Sequence, residues 1–251
     1  MTKIDFGKKR TVRNSPKKLF IYATYKIGKT SMITGLDDYL CIDFEGGSSH
    51  YEGNFINIPA LAEEYKMSLL EVLNQVFEKL DADDKKYKYL VLDTATSMEE
   101  VAKEYAAVLY KRTPLGSTWK GGDILSLPHG AGYGYTRNAF TRIENRFEKY
   151  ADRIILLGHV KNSSITKEGK EISARDVNLT GGLKHVVCAN ADAIGYMYRK
   201  DRTTNVLSFI KEGETDLATG TRCEHLADKE IVISEKIDGK VITRWDSIYI
   251  D

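Results

Sequence analysis

The chain has 251 residues, of which 42% are hydrophobic and 29% charged, and it contains four prolines. This composition excludes a disordered or fibrous protein and favours one folded α/β domain with a smaller appendage. The formal net charge is +1, so the whole-molecule field gives no reason to expect a polyanionic partner, and nucleic-acid binding would need a local basic patch.

Residues 1–17 are predicted to form a basic N-terminal arm before the first strand. Up to the start of that strand the cationic residues are Lys3, Lys8, Lys9, Arg10, Arg13, Lys17 and Lys18, against the acidic residue Asp5. The arm is interpreted either as a nucleic-acid contact or as a solvated tail. No apolar run has the length of a membrane span, and the start lacks the apolar region of a signal peptide, so we expect a cytoplasmic protein.

The three cysteines, Cys41, Cys188 and Cys223, fit a reducing compartment better than a disulfide framework. Two of them belong to the patterns His185-x-x-Cys188 and Cys223-x-His225, which together offer four potential zinc ligands. The spacing matches no known zinc ribbon or finger, and Cys188 lies in an apolar stretch. Core packing is therefore the favoured interpretation of these residues.

The first third of the chain alternates strands and helices. An apolar run over 18–22 predicts a strand, a Gly-Lys-Thr loop follows, and residues 30–34 can then form a short helix. Further strands are predicted over 39–43 and 54–59. Ser68 opens a helix whose apolar face consists of Leu69, Val72, Leu73, Val76, Phe77 and Leu80.

Two continuous apolar runs, 89–93 and 153–159, are typical of central strands in a parallel sheet that is covered on both faces. Helices are predicted between them over 98–110 and 137–150. This alternation predicts a right-handed, doubly wound α/β core. From about residue 193 to 251, short strands and turns predict an antiparallel extension at one edge of the sheet.

Two stretches lack regular periodicity, 113–135 and 161–184, and loops of this length inside a compact domain are usually functional or mobile. Because no linker separates these segments, residues 18–251 are assigned to a single domain.

A phosphate-binding loop, or P-loop, is predicted at residues 23–31. The segment reads Ala23-Thr24-Tyr25-Lys26-Ile27-Gly28-Lys29-Thr30-Ser31 and fits G-x-x-x-x-G-K-[ST], except that alanine replaces the first glycine. Such a loop turns backbone N–H groups toward the phosphates of a nucleotide, its lysine reaches the β- and γ-oxygens, and its hydroxyl binds Mg²⁺. We expect residues 24–31 to bind ATP and Thr30 to bind Mg²⁺. The alternative is a Lys-Thr pair at an ordinary helix start, and Ala23 leaves the nucleotide affinity open.

Asp93 ends a predicted strand and would lie beside the P-loop, where a Walker-B aspartate holds Mg²⁺. Its alternative role is a helix N-cap. The catalytic glutamate that often follows such an aspartate is missing, since Thr94 occupies that position. Glu45, at the tip of the strand 39–43, is then the candidate base for the attacking water. Otherwise Asp43 and Glu45 simply form a turn.

His159 follows the strand 153–159 and is predicted to sense the γ-phosphate and to pass its presence to the segment 161–184. The alternative is a strand-end histidine that only satisfies its neighbours. Arg222, Arg199 and Lys200 are candidates for a charge-stabilising finger in trans, if subunits assemble head to tail. Solvated basic residues are the favoured alternative for these three.

The order of these motifs resembles that of the phage-encoded RecA-like P-loop ATPases of the AAA type, whose better studied members are single-strand annealing recombination ATPases. The resemblance covers roughly residues 17–235. Its motifs are GKTS (28–31), IDFEGG (42–47), LVLDTATSMEE (90–100), IILLGHVK (154–161) and ADAIGYMYRK (191–200).

The resemblance implies a RecA-like core, ATP with Mg²⁺ as ligand, and single-stranded DNA as partner. By position, Lys29 and Thr30 correspond to the P-loop pair and Asp93 to the Walker-B acid. Glu45 corresponds to the RecA-type catalytic glutamate, and His159 to the polar sensor before the second DNA loop. The sequence departs from the family at Ala23 and in the longer, more aromatic segment 113–135.

The two aperiodic segments hold the candidate DNA contacts. In the first, Trp119, Tyr133 and Tyr135 would stack on bases, with Lys120 and Arg137 near the backbone, unless this loop closes over the core. In the second, the cations Lys161, Lys167, Lys170, Arg175 and Lys184 face the acids Glu168, Glu171 and Asp176. That small excess of positive charge would neutralise few phosphates.

The sequence thus predicts an ATP-hydrolysing RecA-like protein that acts on single-stranded DNA in phage recombination or replication, in the host cytoplasm. It would form a head-to-tail oligomer with ATP at the subunit boundary, with a single-strand binding protein as a further candidate partner. The rival hypothesis is a nucleotide-dependent assembly or switch module with little hydrolysis, which Ala23 and the missing glutamate after Asp93 favour. A small-molecule kinase would need an arginine-rich acceptor lid, and the sequence has none.

Overall fold

The computed structural model describes residues 13–167, 170–211 and 218–251, with the backbone alone between 163 and 174. Its strands are β1 (Lys18–Ala23), β2 (Tyr39–Asp43), β3 (Phe55–Asn57), β4 (Tyr87–Asp93), β5 (Ala151–Lys167), β6 (Lys170–Val177), β7 (Ala193–Arg199), β8 (Thr204–Ser208), β9 (Gly220–Thr221), β10 (Glu230–Ile237) and β11 (Lys240–Thr243). The α-helices are α1 (Lys29–Ile33), α2 (Ile58–Tyr65), α3 (Leu69–Asp83), α4 (Ala95–Lys111), α5 (Ala131–Phe147) and α6 (Leu183–Asn190).

The core of the fold is a parallel sheet in the order β7-β1-β5-β4-β2-β3. Every residue of β1 and β2 is buried, as expected for strands with a continuous apolar sequence between two covered faces. Beyond β7 the sheet continues with the antiparallel strands β8, β10 and β11. The predicted α/β fold with a mostly parallel sheet and an antiparallel C-terminal extension is confirmed.

The two faces of the sheet are covered by different parts of the chain. Helices α3, α4, α5 and α6 pack on one face, where they bury residues such as Phe77, Met98 and Phe140. Helix α1 and the C-terminal residues around Trp245 and Tyr249 cover the other face. The Trp245 indole N–H donates a 2.9 Å hydrogen bond to the Met32 carbonyl at the end of α1, so the C-terminal segment holds the short helix that follows the P-loop.

Two sequence predictions about the strands were wrong. β7 pairs in parallel with β1, so the antiparallel extension begins at β8 rather than at residue 193. The parallel direction requires a crossover connection, which α6 provides. The segment 161–184 is not an irregular loop, because the end of β5 and the whole of β6 form an antiparallel hairpin there.

Two helices begin at positions that the sequence did not predict. The strand predicted over 54–59 is present as β3 but ends at Asn57, and α2 begins at Ile58, because the Asn57 side chain caps the Ala60 N–H and Pro59 lies in the first turn. α5 starts six residues before the predicted Arg137. Glycine at position 132 allows this first turn to pack against the backbone of Ile124. Any larger residue would clash there, because its Cβ would lie 1.8 Å from the Ile124 carbonyl oxygen. α3 begins as predicted, with a capping box between Ser68 and Glu71.

The last residues of the predicted arm at 1–17 pack on the folded domain. Residues 1–12 lie outside the described part of the chain. Ser15 is already buried and its hydroxyl accepts the Ile250 N–H. Lys17 and Lys18 form ion pairs with Glu148, so these two cations are not part of an open patch.

The two pairs of candidate zinc ligands lie in different layers. Cys188 packs against the core face that α3 to α6 cover, whereas Cys223 is buried in the cluster on the opposite face. In the described ranges, no three acidic, histidine or cysteine side chains are grouped so that they could hold a metal. A helix long and apolar enough to span a membrane is likewise not found in the part of the chain that the structure describes.

Lys18→Met should lower the free energy of unfolding by about 3–5 kcal/mol, because it leaves a buried carboxylate without its partner. Lys18 Nζ lies 3.0 Å from Glu144 Oε1 and 2.8 Å from Glu148 Oε1, and the Glu144 side chain is 0% exposed. Urea unfolding measures the difference. Lys17→Met, which removes a cation whose side chain is 40% exposed, is the matched control and should cost less than about 1 kcal/mol. Equal losses in the two variants would contradict this role of Lys18.

Candidate nucleotide-binding site

The carboxyl ends of five parallel strands meet at one edge of the sheet. The P-loop follows β1, Glu45 follows β2, Asp93 ends β4, His159 lies on β5 and Arg199 ends β7. All of these segments line one cleft of about 490 Å³. β5 lies between β1 and β4, which puts His159 between the P-loop and Asp93. Ligands in open α/β sheets bind at this edge.

Gly28 of the P-loop lies directly before the start of α1. Gly28 has φ 106°, in the left-handed region, and a Cβ there would lie 3.0 Å from Ser31 Oγ. Ser31 Oγ donates to the Gly28 carbonyl at 2.9 Å, and α1 begins at Lys29. Ala23 is the last residue of β1 and is fully buried. Because a strand conformation does not need glycine, alanine is compatible with this first position of the motif.

Lys29 lies inside the cleft rather than in solvent. Its side chain is buried, and Nζ donates a 3.0 Å hydrogen bond to the Thr24 carbonyl and lies 3.3 Å from His159 Nδ1. Burial lowers the pKa of Lys29, and the nearby carboxylates of Asp93 and Glu45 oppose this effect. The ammonium group is therefore held inside the cleft, where it could contact the oxygens of a bound phosphate group.

Thr30 and Asp93 meet as the sequence predicted for a Mg²⁺ site. Thr30 Oγ1 donates a 2.7 Å hydrogen bond to Asp93 Oδ2, while the buried Asp93 Oδ1 has no hydrogen-bond partner. Burial raises the pKa of Asp93 to about 6, against the hydrogen bond from Thr30. A buried carboxylate oxygen without a donor, next to a hydroxyl, suits a hard cation with oxygen ligands. The N-cap of α4 is Thr94, whose Oγ1 accepts the Ser97 N–H, so the alternative role of Asp93 is not the observed one.

Glu45 and His159 form the second half of the cleft. His159 Nε2 lies 3.0 Å from Glu45 Oε2 and 3.1 Å from Oε1, and the hydrogen bond lowers the pKa of Glu45. The ring of Tyr25 stacks on His159 at 4.1 Å between centroids. With Lys29 at Nδ1 and a carboxylate at Nε2, a neutral imidazole that carries its proton on Nε2 satisfies both partners. Lys29, His159 and Glu45 thus form one continuous hydrogen-bonded chain.

Asp43 shapes the turn that presents Glu45. Its carboxylate accepts the backbone N–H groups of Glu45 at 2.9 Å, Gly46 at 2.7 Å and Ser48 at 2.8 Å. The interpretation of Asp43 as a turn residue is correct, and the same turn brings Glu45 to His159. Sequence reasoning missed this positioning role, although Asp-x-Glu-Gly-Gly is a recognisable turn sequence.

The three basic candidates for a finger in trans lie in different places. Arg199 Nη2 donates a 2.9 Å hydrogen bond to the Ile27 carbonyl, so this guanidinium lies on the P-loop of its own chain. That contact in cis was not predicted. Lys200 is exposed just beyond it. Arg222 lies at the opposite edge of the sheet, where it donates to the Ala189 carbonyl. Action in trans stays a prediction for Arg222 and Lys200.

Two candidate DNA contacts of the segment 113–135, Trp119 and Tyr135, pack on the core, whereas Tyr133 is exposed. Trp119 contacts Tyr110 edge-on at 5.5 Å, and Tyr135 contacts the same ring at 5.3 Å. This geometry favours closure over the core for Trp119 and Tyr135. Lys120 is exposed.

The remaining candidate DNA contacts belong to the β5–β6 hairpin. Lys161 lies near the base of the hairpin, where it pairs with Asp176. Arg175 makes a cation–π contact with the ring of Tyr196 of β7 at 4.6 Å. The side chains of Lys167 and Lys170 lie outside the described residues.

A model of a known protein family, described as an AAA domain, matches residues 15–227. The matched span includes the whole cleft, from the P-loop to Arg199. A search of the curated proteins finds no match to the chain.

Asp93→Asn should raise the free energy of unfolding of the nucleotide-free protein at pH 8. The pKa of Asp93 is about 6 in the folded protein, above the ordinary value of 3.8, so this carboxyl group ionises at a lower pH in the unfolded chain. The free energy of unfolding of the wild type therefore falls as the pH rises from the lower of these pKa values through the higher one. At about 1.4 kcal/mol per pKa unit the gain in the variant is about 3 kcal/mol. Urea unfolding between pH 4 and 8 in a chelator measures it, with Asp83→Asn, an exposed acid, as control. A variant less stable than the wild type at pH 8 would contradict the buried, unpaired carboxylate.

Proposed function

The chain belongs to the AAA domain family, and from this premise we propose that it binds ATP with Mg²⁺ in the cleft at the strand tips and hydrolyses the ATP to ADP and phosphate. The observation that carries the proposal is the hydrogen-bonded chain from Lys29 through His159 to Glu45. It lies beside the Thr30–Asp93 pair, so a cation, a candidate base and a candidate metal site share one cleft.

Each residue would have its own role in hydrolysis, which follows from its position in the cleft. The P-loop would hold the phosphates, and Lys29 would exchange the Thr24 carbonyl and His159 for phosphate oxygens. Glu45, whose lowered pKa keeps it ionised, would accept a proton from the attacking water while the bond between Pγ and the bridging oxygen breaks and ADP leaves with the electron pair. Mg²⁺, held by Thr30 and Asp93, would neutralise phosphate charge when bound.

His159 is the residue through which the site would register the γ-phosphate. Its two ring nitrogens face Lys29 and Glu45, the two groups that must change partners when ATP and water enter. Because a neutral imidazole can exchange donor and acceptor roles, a new partner for Lys29 would also change the hydrogen bond to Glu45.

Glu45→Gln should reduce ATP turnover by about 10²–10⁴-fold while nucleotide binding is retained, because the amide cannot accept the water proton. Lys29→Ala should lose both binding and turnover. Phosphate release and titration with a fluorescent ATP analogue measure the two properties separately. Glu52→Gln, an exposed acid seven residues beyond Glu45, is the control. A wild type that binds ATP but releases no phosphate would favour a nucleotide-dependent assembly or switch module instead.

We further propose a RecA-like action on single-stranded DNA, in phage recombination or replication, as a head-to-tail oligomer. The support is the resemblance in motif order, together with the course of β5. This strand carries His159 and continues directly into the hairpin with Lys161, Lys167 and Lys170. A DNA contact on the hairpin would therefore be joined to the candidate γ-phosphate sensor by one strand. Arg222 and Lys200 are the candidates for completing the site of a neighbouring copy.

Single-stranded DNA should stimulate phosphate release, and the combined change of Lys161, Lys167 and Lys170 to alanine should remove most of that stimulation. Each phosphate contact that is lost should also reduce the slope of log affinity against log salt concentration by about 0.7. Fluorescence anisotropy of a labelled oligonucleotide measures affinity across a salt series. Lys149→Ala, an exposed lysine just after α5, serves as control. Unchanged DNA affinity in the triple variant would place the DNA contact elsewhere.

A further inference from the structure

Helix α4 contacts both legs of the β5–β6 hairpin. Thr96 Oγ1 accepts the His159 N–H at 3.2 Å, where the outgoing leg leaves the sheet. Glu99 Oε2 accepts the Thr180 N–H at 3.1 Å, just after the returning leg ends. Thr96 and Glu99 are three residues apart in α4 and therefore lie on the same side of the helix. A single helical turn thus holds both ends of the hairpin.

The same turn is directly connected to the candidate metal site. α4 begins two residues after Asp93, with Thr94 as its N-cap. The two legs are also tied to each other at this level, since the Asn178 N–H donates to the His159 carbonyl at 2.8 Å. His159 is therefore bonded through its side chain to Lys29 and Glu45, and through its backbone to α4 and the returning leg.

Glu99 is not the residue that stability alone would favour at this position. It is 3% exposed, and its Oε1 is buried without a hydrogen-bond partner. A buried carboxylate oxygen without a donor costs free energy of folding, and the hydrogen bond from the Thr180 N–H to the other oxygen offsets that cost only in part. What the carboxylate does provide is an acceptor for the hairpin's returning leg.

We propose that Glu99 is a positioning residue that makes the β5–β6 hairpin respond to the nucleotide. The inference rests on the proposed function, because it takes His159 to shift when the γ-phosphate binds. With Thr180 anchored to α4 by Glu99, a displacement of His159 that loosens its backbone hydrogen bond to Thr96 would tilt the outgoing leg relative to the returning leg. Glu99 is thus the fixed point against which the outgoing leg moves.

Two variants separate this role from a merely structural one. Glu99→Gln keeps an oxygen that accepts the Thr180 N–H, whereas Glu99→Met keeps the bulk and removes the acceptor. The measurement is amide hydrogen exchange in peptides that cover residues 160–180, with and without a slowly hydrolysed ATP analogue and Mg²⁺. We expect the analogue to change exchange in the wild type and in Glu99→Gln, and this change to be lost in Glu99→Met.

A purely structural glutamate gives a different result, because Glu99→Met would then alter exchange equally in both nucleotide states and the difference between them would survive. That outcome overturns the proposal, as does a wild type that binds the analogue without any change in the hairpin. Titration with a fluorescent ATP analogue and basal phosphate release are measured in parallel and should be unchanged in Glu99→Met. Absence of nucleotide binding in the wild type would instead be the failure of the proposed function itself, and would remove the inference with it.

Discussion

The cleft depends on the parallel register of β1, β5 and β4. Ala23 is aligned with His159 on one side of β5, and Asp93 is aligned with Leu157 on the other. This register places the end of the P-loop strand level with His159 and Asp93 two residues short of that level, and β2 adds Asp43 opposite Asp93. A shift of β5 by one residue would turn His159 away from Lys29 and Glu45, because successive side chains point to opposite faces of a sheet.

Buried charged side chains have different partners at the two edges of the sheet. At the edge where the strands begin, Lys18 and Glu144 are both buried and neutralise each other, which is a structural arrangement. At the edge where they end, Asp93 keeps a carboxylate oxygen without a donor and Lys29 keeps a buried ammonium group. Leaving such groups incompletely paired costs stability, and the cost is recovered when a ligand supplies the missing partners. Asp93 and Lys29 line the same cleft, which is why the proposed nucleotide site is placed at this edge.

The hairpin and the C-terminal segment attach to this edge from opposite faces of the sheet. β5 extends beyond the sheet as one leg of the hairpin, and α4 holds both legs through Thr96 and Glu99. On the other face, Trp245 holds the end of α1, and Arg199 holds the P-loop through the Ile27 carbonyl. The P-loop is therefore braced by residues from the last third of the chain, while the hairpin root is braced by the helix that follows Asp93.

The sequence by itself determined the elements that depend on local physics. Continuous apolar runs predicted β1, β2 and β4, the capping residues predicted the start of α3, and the motif at 23–31 predicted the P-loop with Lys29 and Thr30. It also brought Asp93, Glu45 and His159 forward as candidates, because each follows an apolar run. Tertiary structure decided what depends on residues distant in the chain: the parallel direction of β7, the place of Arg199 on its own P-loop, and the contacts of Thr96 and Glu99 with residues 63 and 81 positions away. These contacts have no periodicity or spacing in the sequence, since a hydrogen bond between distant segments forms only after the sheet has aligned them.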